Sequence, residues 1–396
     1  MSKNRIISTV LVLLFLSVLF SCKKETPMPT GTTTSIQRTF SGKIDIDHLD
    51  DYANQPIPNY ITKDNTSSNK ITNIGATLGR VLFYDKKLSV NNSIACASCH
   101  KQEFAFGDTA VASLGVNGRT GRHSMRLVNA RFGAETKFFW DERALTLEDQ
   151  TTKPIQDHSE MGFSGQNGDP SINDLIAKLN QIDYYKELFQ LTYGSEQITE
   201  IKIQNALAQF VRSIQSFDSK YDQGRIQVNN DVANFPNFTA QENLGKSLFL
   251  TNPIFDANSE RIGGGLGCKS CHGAPEFAID PQSRSNGIGG SINGGPDFTN
   301  FRSPSLRNLT NNLGVVNGPM MHTAVIKDLQ AAIGHYGNLT NAAINNPNLD
   351  RKLKPNGIAG QQLHLNAQEI NSVIAFLKTL AGTDVYSNKK WSNPFL

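Results

Sequence analysis

Cys96-Ala97-Ser98-Cys99-His100 and Cys268-Lys269-Ser270-Cys271-His272 are two copies of one pattern, Cys-x-x-Cys-His, set far apart in a chain of 396 residues. In this pattern two thiols add to the vinyl groups of a haem, and the adjacent imidazole is delivered to the iron. Zinc would also accept two cysteine pairs, but here each pair carries its own histidine and the pairs are remote from one another. A thioredoxin-type redox pair sits at a strand-to-helix turn, and no βαβ pattern surrounds either copy. Two covalently bound haem c groups are therefore expected, held by Cys96, Cys99 and Cys268, Cys271, with His100 and His272 as iron ligands.

The fifth cysteine, Cys22, belongs to a different feature. Lys3 and Arg5 precede an apolar run from Ile6 to Phe20, followed by Ser21-Cys22. That run is shorter than the roughly 20 residues a spanning helix needs, and it reads as an export signal. The end Leu19-Phe20-Ser21-Cys22 resembles a bacterial lipobox, which makes Cys22 the lipidated first residue of the mature chain. The expected organisation is a signal peptide over 1–21 and a Lys/Thr/Pro-rich flexible tether over 22–45. The protein would then be exported to the periplasmic side and anchored to a membrane by its N-terminal lipid. The 38 Lys and Arg nearly balance the 35 Asp and Glu and form no long basic run, so nucleic-acid binding has no electrostatic footprint.

Helical spacing dominates the rest. Ile71, Ile74, Leu78, Val81 and Leu82 mark a helix over about 70–83, and Ile203, Leu207, Phe210, Val211 and Ile214 mark one within 198–217. Thr239-x-x-Glu242 and Asn366-x-x-Glu369 are capping boxes that open further helices. Residues 101–170 are rich in Gly and charge and short on periodicity, as expected of loops wrapped around a large cofactor. Leu78-Gly-Arg-Val-Leu-Phe83 and Leu244-Gly-Lys-Ser-Leu-Phe249 stand ahead of the two cysteine motifs and form an internal repeat. The fold expected is mainly α: two cytochrome c-like helical domains with long loops, at 46–225 and 238–385, each enclosing one haem, with the connection over 224–237.

From about Gly75 to Ala381 the chain resembles the bacterial dihaem cytochrome c peroxidase and MauG family. The resemblance is carried by Leu78–Asp85, Leu88-Ser89, both haem motifs, Phe139-Trp140-Asp141, Leu147-Glu-Asp-Gln150, Pro154-Ile155, Glu160-Met161-Gly162 and Pro304-Ser-Leu-Arg307-Asn308. It implies reduction of hydrogen peroxide to water at the first haem. The electrons would come from a small cytochrome c or another periplasmic donor through the second haem. Glu160 matches the family's distal glutamate, which moves protons during O–O cleavage. Gln150 and Pro154 lie upstream at the family's spacing, and Gln150 joins Glu160 and Trp140 as a catalytic candidate. Trp140 matches the tryptophan between the haems. Arg307 is expected to pair with a haem propionate.

The resemblance leaves alternatives open. Many peroxidases of the family carry a His after Ser-x-Gly, whereas Ser113-Leu114-Gly115 is followed here by Val116, which implies a first iron open to peroxide at rest. His123, farther along, is the other candidate ligand there. It also stands where the family often has an Asn that binds a calcium ion between the haems. The second iron takes Met in some members and Tyr in MauG. Register from Pro319-x-x-His322 assigns Tyr336, with Met320, Met321 and His335 as alternatives, because Thr323-Ala324 replaces the usual Asp-Gly. Oxidation of a partner protein through high-valent haem, as in MauG, is one rival activity. An electron-transfer cytochrome without peroxidase activity is the other. A homodimer is open to such a chain.

Overall fold

The computed structural model describes residues 33–395. The repeated segments lie in helices Asn73–Tyr84 and Ala240–Leu250, and each crosses a later helix at its glycine. A Cβ on Gly79 would lie 2.0 Å from the Ala206 carbonyl oxygen of helix Glu200–Ser213. One on Gly245 would lie 1.8 Å from the Ser372 carbonyl oxygen of helix Ala367–Lys378. Only glycine permits so close a backbone approach. One turn on, the Phe83 ring packs 5.1 Å from Phe210, and the Phe249 ring packs 5.3 Å from Phe376. The sequence repeat is thus a repeat of one helix crossing.

The helices begin where their caps stand. Thr72 and Thr199 accept from the backbone N–H groups of Gly75 and Lys202, and the Thr239/Glu242 and Asn366/Glu369 capping boxes both form. Around the first crossing lies a core that includes Leu78, Leu82, Phe106, Leu188 and Phe210, and around the second a core that includes Tyr221, Phe249, Phe277, Val373 and Phe376. Residues from Ser35 onward form one compact unit. The fold is mainly helical with long loops, and among the described residues the strands make two small hairpins, Pro253–Phe255 with Arg261–Gly264 and His272–Gly273 with Ala278–Ile279. The segment 101–170 is built of turns and short helices, as its composition predicts.

Three boundaries differ from expectation. The far end of the supposed tether is helix Ser35–Phe40, whose Ile36 and Phe40 are buried in the first core, while the backbone N–H groups of Ser35 and Ile36 donate to Glu187. Two apolar side chains are enough to dock so short a helix. The chain passes from the first core to the second between Ile214 and Tyr221, ahead of the 224–237 stretch expected to connect them. Phe235 and Phe238 of that stretch are packed in the second core. Val385 and Trp391 return to the first core, and the Trp391 carbonyl accepts from the Tyr84 hydroxyl. Among the described residues no helix is long and apolar enough to cross a membrane. The signal peptide and Cys22 lie outside the described residues.

Candidate haem and peroxide site

Immediately after the first crossing helix and its loop, Cys96–Cys99 forms one helical turn that places both thiols and His100 on a cavity of about 410 Å³. The volume falls in the ~300–1,000 Å³ range of small-molecule and cofactor pockets. Burial pushes the Cys96 thiol up to about 12 and the Cys99 thiol up to about 11, the opposite of a reactive redox pair. Burial lowers the His100 imidazole below its ordinary range, and its Nδ1 lies 3.3 Å from the Phe106 carbonyl oxygen. A carbonyl accepts from a protonated Nδ1, so Nε2 is left as the free lone pair a metal needs.

Gln150, Pro154, Glu160, Arg143 and Trp140 line the same cavity. Gln150 rides on helix Leu147–Thr152, whose start is capped by Thr146. Glu160 is fixed through its backbone: its N–H donates to Asp157 Oδ1 at 3.0 Å, and its carbonyl accepts from Val116 N–H at 3.0 Å. Burial pushes the Glu160 carboxyl up to about 7, the Asp157 carboxylate adds to the rise, and Arg143 opposes it. Such a carboxyl both accepts and returns a proton near neutral pH. Leu114 and Gly115 border the cavity while Val116 faces the Gly162 turn, and the imidazole that this stretch brings to the cavity wall is that of His123.

A second cavity, of about 240 Å³, is lined by Cys268, Cys271, His272, Met320, Met321 and Tyr336 among others. Burial raises the Cys268 thiol to about 12 and lowers His272 to about 4. His272 comes from the hairpin His272–Gly273/Ala278–Ile279, and its buried Nδ1 has no hydrogen-bond partner. Tyr336, on helix Leu329–Gly337, presents a hydroxyl raised above its ordinary range by burial; it accepts from Asn286 Nδ2 at 3.3 Å. His335 does not line the cavity, because its Nε2 pairs with the Asn286 carbonyl at 2.8 Å.

Trp140 belongs to both cavities. Its indole N–H donates to the His123 carbonyl at 2.7 Å, and its own carbonyl accepts from the N–H groups of Phe301 and Arg302. His123 shares this wall, with Nδ1 at 2.9 Å from the Ala110 carbonyl oxygen.

Residues 73–230 match the family profile of di-haem cytochrome c peroxidases, CCP_MauG. The chain is 28% identical over 324 residues to the methylamine utilization protein MauG of Methylophilus methylotrophus, covering 80% of this chain and 84% of that one. It is 26% identical over 321 residues to the cytochrome c551 peroxidase of Nitrosomonas europaea, covering 78% and 80% of the two chains. Among solved structures, a MauG-like protein associated with microbial copper homeostasis superposes with a TM-score of 0.64 at 25% identity, covering 87% of this chain and 99% of that chain. Residues 73–230 thus carry a di-haem cytochrome c peroxidase domain, and most of the chain is similar both to MauG and to cytochrome c peroxidases.

The matched di-haem profile implies two haem c groups, and the residues present fit them. Each cavity brings together two neutral thiols and a neutral imidazole. The wall between the cavities also carries two half-buried arginines that the sequence did not single out, Arg126 and Arg302. Among the described residues neither pairs with a carboxylate: Arg126 donates to the Ser305 carbonyl and leaves its Nε without a partner, and Arg302 donates to the Glu135 and Lys137 carbonyls. Burial lowers both to about 10. Guanidinium groups that make no ion pair with a carboxylate suit an anionic ligand, and haem propionates are such anions.

Arg307, expected in that role, sits elsewhere. It is fully buried, pairs with Asp222 at 2.9 Å, donates to the Pro275 carbonyl and lines neither cavity. Its carboxylate partner comes from Lys220–Arg225, a helix of the second core, so its charge is already neutralised. Among the described residues no group of three or more His, Cys, Asp or Glu side chains is placed to hold a further metal ion such as calcium.

Proposed function

We propose that this chain carries two thioether-bound haems and reduces hydrogen peroxide to water at the first, with electrons that a small cytochrome c or similar periplasmic donor delivers to the second. The observation that carries this reading is Glu160: a half-buried carboxyl raised to about 7, on the same cavity as Cys96, Cys99 and His100. Haem iron, when bound, supplies the electrons and the metal on which the peroxide bond breaks. Glu160 takes the proton from the nearer peroxide oxygen and returns it to the departing one. With two electrons and two protons, one peroxide becomes two waters. Gln150, on the same cavity, offers an amide to orient the peroxide. Trp140, touching both cavities, is the bridge for electrons from the second haem. His100 and His272 are the iron ligands in this reading, and Tyr336 is the further ligand of the second iron. Each of the two cores then serves as a cytochrome c-like domain. Cys22 carries the lipid that holds the protein on the periplasmic side of a membrane.

A second reading is favoured by one specific pair of observations. A tyrosine lines the second cavity, and a valine, not a histidine, follows Ser113-Leu114-Gly115. Both suit a MauG-like enzyme that oxidises a partner protein. Rapid mixing of reduced holoprotein, peroxide and a reduced small cytochrome c separates the two. Multiple turnover of the cytochrome supports the peroxidase. Slow turnover with a covalently modified partner protein supports the rival.

A further inference from the structure

One side chain in the second cavity holds two others that could each bind a metal. Asn286 Nδ2 donates to Tyr336 Oη at 3.3 Å and to Met321 Sδ at 3.1 Å. An amide nitrogen carries two hydrogens, so both bonds form together. The Asn286 carboxamide oxygen accepts from Ile288 N–H, and its backbone carbonyl accepts from His335 Nε2, so the amide is anchored on both sides. That second bond removes His335 from the set of ligands. Met321 itself has φ +67°, a left-handed conformation that costs energy for a residue with a Cβ. It stands in the tight loop closed by the bridge between Met320 and Ile326. A thioether is thus held beside a phenol, on one cavity, by one donor.

We infer that the second haem exchanges its axial ligand with its oxidation state: Tyr336 on the oxidised iron and Met321 on the reduced one. This rests on the proposed haem at Cys268, Cys271 and His272 and extends it. A phenolate is an anionic oxygen ligand that favours ferric iron, and a thioether is a soft neutral ligand that favours ferrous iron. When the donor cytochrome adds one electron, the bond from the iron to Tyr336 Oη breaks and the phenolate takes a proton from solvent. The bond from the iron to Met321 Sδ then forms. Loss of the electron reverses each change. Asn286 keeps the outgoing ligand within reach, so exchange needs no large movement of the chain. The device would let one haem accept electrons at the higher potential of a thioether site and rest at the lower potential of a phenolate site.

The test uses holoprotein matured in a cytochrome c-assembling host, with two haems verified by intact mass. Near-infrared magnetic circular dichroism and resonance Raman spectra are recorded oxidised and reduced. Wild type is expected to show phenolate ligation when oxidised and a low-spin His/Met second haem when reduced. Met321→Leu, which conserves volume, should keep the oxidised spectrum and lose the low-spin reduced form. Tyr336→Phe should acquire the sulfur-to-iron charge-transfer band in the oxidised state. If two haems are bound and Met321→Leu leaves the reduced spectrum unchanged, or Tyr336→Phe shows no thioether band, the exchange is overturned while the haem assignment stands. A chain without two haems, or an oxidised second haem without phenolate, defeats the exchange and the underlying ligand assignment together.

Discussion

The indole N–H of Trp140 donates to the carbonyl oxygen of His123 at 2.7 Å, and this bond fixes the ring in the wall shared by both cavities. His123 N–H in turn donates to the His322 carbonyl, and the His322 ring meets Trp140 edge-on at 6.1 Å. Residues from both halves of the chain therefore hold an aromatic side chain that lines both cavities. Trp140→Phe removes the donor and shortens the π-system. It is expected to leave both haems attached and to slow reoxidation of the second haem after peroxide is added to the reduced protein. Rapid-mixing absorption at the two haems measures this, and an unchanged rate would take Trp140 out of the electron path.

Glu160 makes a second prediction, with a sign. Its base form appears as pH rises through about 7, so the peroxide step should accelerate over that range. Asp157→Asn removes a negative charge that raises the Glu160 carboxyl, and the rising limb should move to lower pH. Glu160→Gln should abolish the limb and slow the step about 10²-fold or more. A pH–rate profile of peroxide consumption checks the wild type and both variants, and a limb that survives in Glu160→Gln would assign it to another group.

The arginines separate by what they face. Arg307→Met leaves Asp222 buried without its partner and should destabilise the protein by about 3–5 kcal/mol, with no effect on either reduction potential. Arg126→Met should cost less stability, about 1.5–3 kcal/mol for a charge-assisted hydrogen bond, and should move the potentials to more negative values by removing a cation from the shared wall. Denaturant titration and spectroelectrochemistry read the two effects. A potential shift in Arg307→Met alone would restore the propionate role to that residue.

The helix crossings give a prediction free of haem chemistry. Gly79→Ala and Gly245→Ala each push a methyl group against a partner-helix carbonyl, which no rotamer change relieves. Each should destabilise the fold by about 1–3 kcal/mol or more. Chemical denaturation of both variants measures it, and wild-type stability in either would mean the helices separate at little cost.

Much of this was legible in the sequence because it rests on local spacing. Cys-x-x-Cys-His, the capping boxes at Thr239 and Asn366, and the helical stripe of Ile203, Leu207 and Phe210 need only neighbours along the chain. The repeat of Leu-Gly-x-x-Leu-Phe was visible too, but its cause, a carbonyl pressed against each glycine, requires the partner helix. Arg307 stands within the motif Pro304-Ser-Leu-Arg307-Asn308, whereas Arg126 and Arg302 stand in none that points to a propionate. Which guanidinium meets Asp222 and which is left without a carboxylate is decided by chain segments far apart in sequence. Helix Ser35–Phe40 was missed for a related reason: Ile36 and Phe40 stand in a polar stretch too short to show a period.

The most direct measurement adds hydrogen peroxide to the fully reduced, two-haem protein and follows both haems by absorption. One equivalent should oxidise both haems and be consumed as water, with Glu160→Gln bound to the same two haems but slow. Haems that stay reduced in excess peroxide would contradict the account at its centre.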